Sequence, residues 1–266
     1  MTVNIGFIGA GNMGGAMISG LALSEDLKLL GYDPDTGRLD HLVDKCGLVR
    51  VKNTADLVTR ADYIFCAVKP GLMEDVVKDI SPYLSESKCL VSIAAGIHIK
   101  KIISWSGDRC PVIRIMPNTP AIIGRGVFAL CLDHDKITST QKDFLTRTIS
   151  GLGRTFILPE KSFDAFTALI GSGPAYVFYF MESMIEAGVM LGLDRGSATE
   201  MVKELFSGSS QMTQKQETHL TMLKEMVTSP GGTTAAGLNS LDKNAVRASI
   251  AEAVEKGMKR SRKLGK

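Results

Sequence analysis

The sequence predicts an α/β fold in which a doubly wound parallel sheet occupies residues 1–160 and an all-α region occupies residues 161–266. Three observations carry that expectation. Short β-rich runs alternate with helical segments up to about residue 160. The first strand-to-helix junction is a glycine-rich loop. Beyond residue 160 the β signal stops and the pattern stays helical to the end.

In order, the β-like runs are VNIGFIG, LLGYD, LVRV, YIFCAV, CLVSIAAG and PVIRIMPN, and the helical segments between them are NMGGAMISGLAL, RLDHLVDKCG, TADLVTRAD, LMEDVVKDI and HIKKIISW. GVFALCL and RTFIL flank the helical ITSTQKDFLTRTISGLG and extend the same sheet. In the second region Pro174 suits a first helical turn, and AYVFYFMESMIEAGVMLG follows, apolar on nearly every side as far as Met181. Such a helix must be buried on all faces. That predicts a subunit interface, with a packed monomer core as the alternative. SATE, Ser197 to Glu200, has the capping-box pattern of a helix start. TMLKEMV leads into SPGGTTAAGL, and AVRASIAEAVEKGMKRSRKL forms a final helix.

Composition narrows the class. Lys plus Arg exceed Asp plus Glu only 31 to 28, and part of the excess lies in the last eleven residues, so no nucleic-acid face is expected. Cys46, Cys66, Cys89, Cys110 and Cys131 lack C-x-x-C spacing and mostly sit in apolar runs, which reads as reduced thiols in a cytoplasmic protein. No membrane span and no export leader are expected. His41, His98, His134 and His219 show no metal-ligand spacing. No G-x-S-x-G elbow is present, so hydrolase chemistry falls away.

IGFIGAGNMGGAM sets Gly9, Gly11 and Gly14 in G-x-G-x-x-G spacing between a strand and a helix. The first glycine permits a tight turn, the second lets a pyrophosphate approach the backbone, and the third lets helix and strand pack closely, with the helix N-terminus facing the phosphates. This predicts a Rossmann-type dinucleotide site formed by Gly9, Ala10, Gly11, Asn12, Met13 and Gly14. Asp33 ends the second strand, where an acid would hold a ribose diol and favour NADH. Thr36 and Arg38 in the next turn accommodate NADPH, so the choice stays open, and Asp33 before Pro34 also reads simply as a turn starter. Ala67, Val68, Lys69 and Pro70 after the fourth strand, and Ala94, Ala95 and Gly96 after the fifth, offer small residues beside a nicotinamide ribose. Lys69 reads either as a catalytic base or as a solvated charge. Asn118 in MPNTP either positions a ligand or satisfies its own turn.

In VTSPGGTTAAGL, Pro230 and two glycines break one helix, and Thr233 and Thr234 stand where the next begins, a cup for a carboxylate or phosphate. Ordinary threonine capping is the alternative. GSGPAY, Gly171 to Tyr176, repeats the vocabulary. Two such helix starts beside a dinucleotide domain suggest a small acidic substrate.

Across essentially the whole chain, IGFIGAGNMG, AVKP, AAG, RIMPNTP, GSGPAY and above all LKEMVTSPGGTTAAGL resemble the pyrroline-5-carboxylate reductase family. The resemblance implies an NADPH- or NADH-binding Rossmann domain and a helical domain that dimerises by intertwining. It further implies dimers that often assemble into a decamer, and hydride transfer to the imine carbon of 1-pyrroline-5-carboxylate, giving L-proline. Carried over residue by residue, it implies that Ser229, Gly231, Gly232 and Thr233 hold the substrate carboxylate and that Thr234 turns its hydroxyl to the ring nitrogen. Glu217 then falls near the substrate pocket. Met226 departs from a polar residue that some members carry for cofactor contact, and Ile170 replaces a small residue before GSGPAY. A β-hydroxyacid dehydrogenase relative, or a non-catalytic NAD(H)-sensing dimer, remains as the alternative. The former is expected to carry a helical catalytic Lys, which GSGPAY lacks, and the latter an effector segment.

Overall fold

A computed structural model of the chain describes residues 2–215 and 218–265. Eight strands form one sheet: β1 (Val3–Ile8), β2 (Leu27–Tyr32), β3 (Val49–Arg50), β4 (Tyr63–Cys66), β5 (Cys89–Ser92), β6 (Val112–Met116), β7 (Gly126–Cys131) and β8 (Gly153–Ile157). Their order is β3-β2-β1-β4-β5-β6-β7-β8, and every pairing is parallel except β6 with β7. The sheet therefore departs from the all-parallel expectation at one ladder. A parallel crossover needs a dozen or more residues, whereas only residues 117–125 separate β6 from β7, so the chain must turn back.

Alternation along each strand divides the core between two faces. Ile5 and Phe7 of β1, Phe65 of β4, Val91 of β5 and Phe128 of β7 point to one face. There they meet Met17 and Leu21 of α1 (Asn12–Leu21), Leu39 and Leu42 of α2 (Thr36–Cys46), and Leu145 and Ile149 of α6 (Ser139–Ser150). Ile8, Ile64, Leu90 and Val112 point to the other face. They pack on Leu57 of α3 (Thr54–Arg60), Val77 of α4 (Met73–Ile80), Ile102 of α5 (Ile99–Ser106) and Phe163 of α7 (Phe163–Phe166). Helices on both faces are why the central strands read as continuous apolar runs. Phe7 and Phe65 stack with ring centroids 4.8 Å apart at the centre; truncating either to Ala would cost about 3–5 kcal/mol.

The remaining elements are a π-type turn at Thr167–Gly171, then α8 (Gly173–Met190), α9 (Arg195–Lys215), α10 (Leu220–Met226), α11 (Thr233–Lys243) and α12 (Val246–Leu264). The chain forms two compact units, residues 1–172 with 255–266, and residues 173–254. This grouping falls later than a division at 160, because Phe163 and Phe166 are buried on the sheet, and the last residues join the first unit.

Within the second unit α8 packs on α9, where Ala198 and Val202 are buried. The capping-box reading of SATE needs correction: α9 starts at Arg195, and the Asp194 carboxylate accepts the Ser197 N–H at 3.0 Å. Asp194 thus caps the helix one turn earlier, and Ser197 is a donor inside it. No residue of α8 is buried within this one chain; Phe178 is 62% and Tyr179 68% exposed. Among the described residues no helix is long and apolar enough to cross a membrane.

Candidate active site

The glycine-rich loop leaves β1 at Ile8 and enters α1 through Gly11, its cap residue, which supplies no side-chain cap. Gly9 has φ +100°, and a Cβ there would lie 2.7 Å from the Ala67 carbonyl oxygen, so only glycine lets β1 turn beside β4. A Cβ on Gly14 would run into the Gly9 carbonyl. The first N–H groups of α1 have no carbonyl within their own helix, which leaves a donor-rich, electropositive end at the loop.

Asp33 is buried, 6% exposed, and both its oxygens accept backbone bonds: Oδ2 from the Ala10 N–H at 2.7 Å and Oδ1 from the Asp35 N–H at 2.9 Å. The second bond is the turn-starting contact that the Asp-Pro pair suggests. The first ties the end of β2 to the glycine loop.

A cavity of about 980 Å³ opens over this loop, large enough for much of a dinucleotide. Gly9, Ala10, Gly11, Asn12, Met13 and Asp33 line it, as do Ala67, Val68 and Lys69 from the end of β4. Gly14 does not, because it is consumed in packing against Gly9 and Ala67. Pro70, Ala94, Ala95, Gly96 and Asn118 also stand outside its wall. Pro70 begins a short 3-10 turn. Ala94–Gly96 follow β5, the parallel neighbour of β4, at the same carboxyl edge of the sheet.

Asn118 is 6% exposed; its Oδ1 accepts the Val127 N–H at 2.8 Å and its Nδ2 donates to the Ile170 carbonyl at 3.2 Å. Its amide thus ties the β6–β7 connection to the π-type turn, closest to the turn-satisfying alternative. Arg38 lines the cavity, pairs with Asp35 at 3.1 Å, and has its Nη1 3.7 Å from where a Cβ on Gly11 would sit. His41, Thr54, Leu72, Val76 and Ile122 also line the cavity, at positions that the sequence motifs do not mark as ligand contacts. The i,i+3 spacing of Arg38 and His41 puts both on one helical face and is the signal that was available.

In the second unit α10 ends at Met226, which is exposed, and the chain turns through residues 227–232 into α11. Thr228 folds back to the Lys224 carbonyl at 2.7 Å, Gly231 has φ +69°, and the Gly232 N–H bonds the Ser229 carbonyl at 3.0 Å. Gly232 caps α11 without a side-chain bond, so ordinary threonine capping is not used. Thr233 is the first helical residue and exposed; Thr234 is half-buried. The first N–H groups of α11 have no carbonyl partner within their own helix. Glu217 lies outside the described residues. Ile170 is half-buried against the sheet-side core, and its carbonyl is the one held by Asn118.

Among the described residues no cluster of His, Cys, Asp and Glu could hold a metal ion. His219 is the cap residue of α10, its Nδ1 accepting the Thr221 N–H at 3.2 Å. All five cysteines are free thiols. Burial pushes Cys66 and Cys131 up to about 12 and Cys110 up to about 11, so none of these three is a ready nucleophile.

Residues 160–264 match the family model for pyrroline-5-carboxylate reductase dimerisation, and residues 4–96 match the model described as NADP oxidoreductase coenzyme F420-dependent. The pyrroline-5-carboxylate reductase of Pisum sativum is 35% identical, over 98% of this chain and 95% of its own. That of Escherichia coli K12 is 34% identical over the full length of both. The crystal structure of Plasmodium falciparum pyrroline carboxylate reductase with NADP bound superposes with a TM-score of 0.91 at 35% identity, covering 99% of this chain and 98% of that one.

Proposed function

The chain belongs to the pyrroline-5-carboxylate reductase family, and from that premise we propose how its residues divide the work. It is an NAD(P)H-dependent oxidoreductase that reduces the cyclic imine 1-pyrroline-5-carboxylate to L-proline, the last step of proline synthesis. When bound, the nicotinamide supplies hydride from its C4 to the imine carbon. The fit of a dinucleotide rests on the cavity over Gly9–Met13, on a Gly14 position that admits no side chain, and on the open N-terminus of α1.

Ser229, Gly231, Gly232 and Thr233 hold the substrate carboxylate largely through backbone amides, although the Gly232 N–H is already engaged by the Ser229 carbonyl, and Thr234 turns its hydroxyl to the ring nitrogen. The observation that carries this division is the start of α11, a helix whose cap residue offers no side chain. An anion can therefore take the place that a capping oxygen would fill. The imine arrives partly protonated, so the reaction needs positioning more than a strong protein acid, and Thr234 relays a proton from water when the nitrogen is neutral. Glu217 is assigned to the wall of the substrate pocket on family resemblance alone.

In the cofactor half, Gly9 to Met13 face the pyrophosphate, Gly14 lets α1 pack closely on the loop, Ala67 to Pro70 and Ala94 to Gly96 flank the nicotinamide ribose, and Asn118 stiffens the adjoining turn. By function, residues 1–160 are assigned to nucleotide binding and 161–266 to dimerisation and substrate binding, although residues 161–172 and 255–266 pack with the first unit. The exposed aromatics of α8 are what a second subunit covers, dimers assemble further into a decamer, and the free thiols suit a reducing cytoplasm.

Absorbance at 340 nm, followed with pyrroline-5-carboxylate and separately with the keto partner of a β-hydroxyacid, tests the reading. Oxidation of NADH or NADPH only with the cyclic imine is expected. Turnover of the keto acid would favour a hydroxyacid dehydrogenase, and cofactor binding with no turnover on either would favour a sensor.

A further inference from the structure

The mechanism above gives no task to Ser261, a buried hydroxyl (3% exposed) in the last turn of α12. Its Oγ donates to Asp164 Oδ1 at 2.7 Å, and Asp164 is itself 9% exposed. A buried pair of this kind joins positions 97 residues apart in sequence. The Ser261 carbonyl then closes on the loop after β5: a Cβ built on Gly96 would lie 2.6 Å from that oxygen and 3.0 Å from the Gly265 N. A Cβ on Gly265 would in turn run into the Gly96 carbonyl. Gly96 also has φ +79°, so both its conformation and its space exclude a side chain.

The other end of the same loop is fixed from the same short segment. Glu160 Oε1 accepts the Ile99 N–H at 2.6 Å, at the first residue of α5, and is itself held at 3.1 Å by Arg114, which is 1% exposed and stacks over Phe163. Glu160 and Asp164 thus grip the Ala94–His98 loop at its end and, through Ser261, at Gly96.

We propose that the C-terminal turn Ser261–Gly265, latched by the Ser261–Asp164 hydrogen bond, is a positioning element that holds the Ala94–Gly96 loop in the shape that receives the nicotinamide half of the cofactor. This rests on the reading that this loop flanks the nicotinamide ribose. Ser261 and Asp164 act through the loop and touch neither substrate nor cofactor. An ordered loop binds without the loss of freedom that a loose one must suffer, so breaking the latch weakens only ligands that reach the loop.

The test is ligand affinity of the full-length enzyme, measured in parallel for NADPH and for adenosine 2′,5′-bisphosphate, which lacks both the nicotinamide and its ribose. Ser261→Ala is expected to weaken NADPH about 3- to 10-fold, the scale of one net hydrogen bond, while adenosine 2′,5′-bisphosphate stays within about twofold of wild type. Asp164→Asn keeps an acceptor oxygen and is expected to retain NADPH affinity. Equal weakening of both ligands, unchanged NADPH affinity in Ser261→Ala, or the same loss in Asp164→Asn would each overturn the proposal. Ala95→Leu separates the underlying reading: a bulky side chain beside the nicotinamide should weaken NADPH selectively. If Ala95→Leu leaves NADPH affinity intact, the loop does not face the nicotinamide, and the proposal falls for that different reason.

Discussion

Replacing Asp33 by alanine separates two roles for the acid that ends β2. Its carboxylate is buried and braces the Ala10 N–H at 2.7 Å, and Ala10 is only 8% exposed. Without the carboxylate that N–H is left buried and unpaired, at about 1–3 kcal/mol. The Asp35 N–H, on an exposed residue, returns to water at little cost. For a unit of this size the loss corresponds to a fall in Tm of roughly 2–12 °C. Because the brace holds the phosphate loop, which serves either cofactor, NADH and NADPH should weaken by the same factor. Asp33→Asn, whose amide can accept only one of the two bonds, should fall between. Thermal unfolding followed by tryptophan fluorescence and paired dissociation constants for the two cofactors measure this. A variant with unchanged Tm that loses NADH while keeping or gaining NADPH would refute the brace and restore Asp33 as a reader of the ribose diol.

Thr234→Ala should lower kcat/KM by about 1–3 kcal/mol of transition-state binding, the scale of a hydrogen bond to a charged group; full activity would remove Thr234 from the chemistry. Phe178→Glu on α8 places a charge where we assign a second subunit. It should convert dimers to monomers in analytical ultracentrifugation, since a buried Phe supplies about 1.5–3 kcal/mol; an unchanged mass would relocate the interface. At pH 8 a thiol reagent should label half-buried Cys46 first and reach Cys66, Cys89, Cys110 and Cys131 only on unfolding. Burial raises the Cys66, Cys110 and Cys131 thiols from 9.0 to about 12, 11 and 12, so between pH 9 and 11 the folded chain holds protons that the unfolded chain releases. Stability from this source is full below pH 9 and declines as pH rises above it; denaturant midpoints that rise across that range would contradict the assignment.

How far the sequence foretold these features depended on the kind of signal. The sheet was legible because each strand alternates between two covered faces, as Phe7 and Ile8 do on β1, and because the connections are helical. Strand direction at β6–β7 carries no mark in composition; it lies in the short connection across residues 117–125. The cap of α9 was misplaced because Ser197 and Glu200 satisfy a local spacing rule, while Asp194 wins by reaching the Ser197 N–H first. The glycine loop was legible because Gly9 and Gly14 answer to steric needs written in spacing. Arg114, Glu160 and Asp164 were missed because their partners lie on separate elements; the Asp164 bond to Ser261 spans 97 positions, which no short motif can encode.

The account stands most directly on where the hydride goes. Incubating the enzyme with 1-pyrroline-5-carboxylate and NADPH deuterated at the nicotinamide C4 position that is transferred, and recovering the product for mass spectrometry and NMR, reads this out. Proline carrying one deuterium on its former imine carbon is the predicted result. Proline without deuterium there, or cofactor consumed with no proline formed, would contradict the central claim.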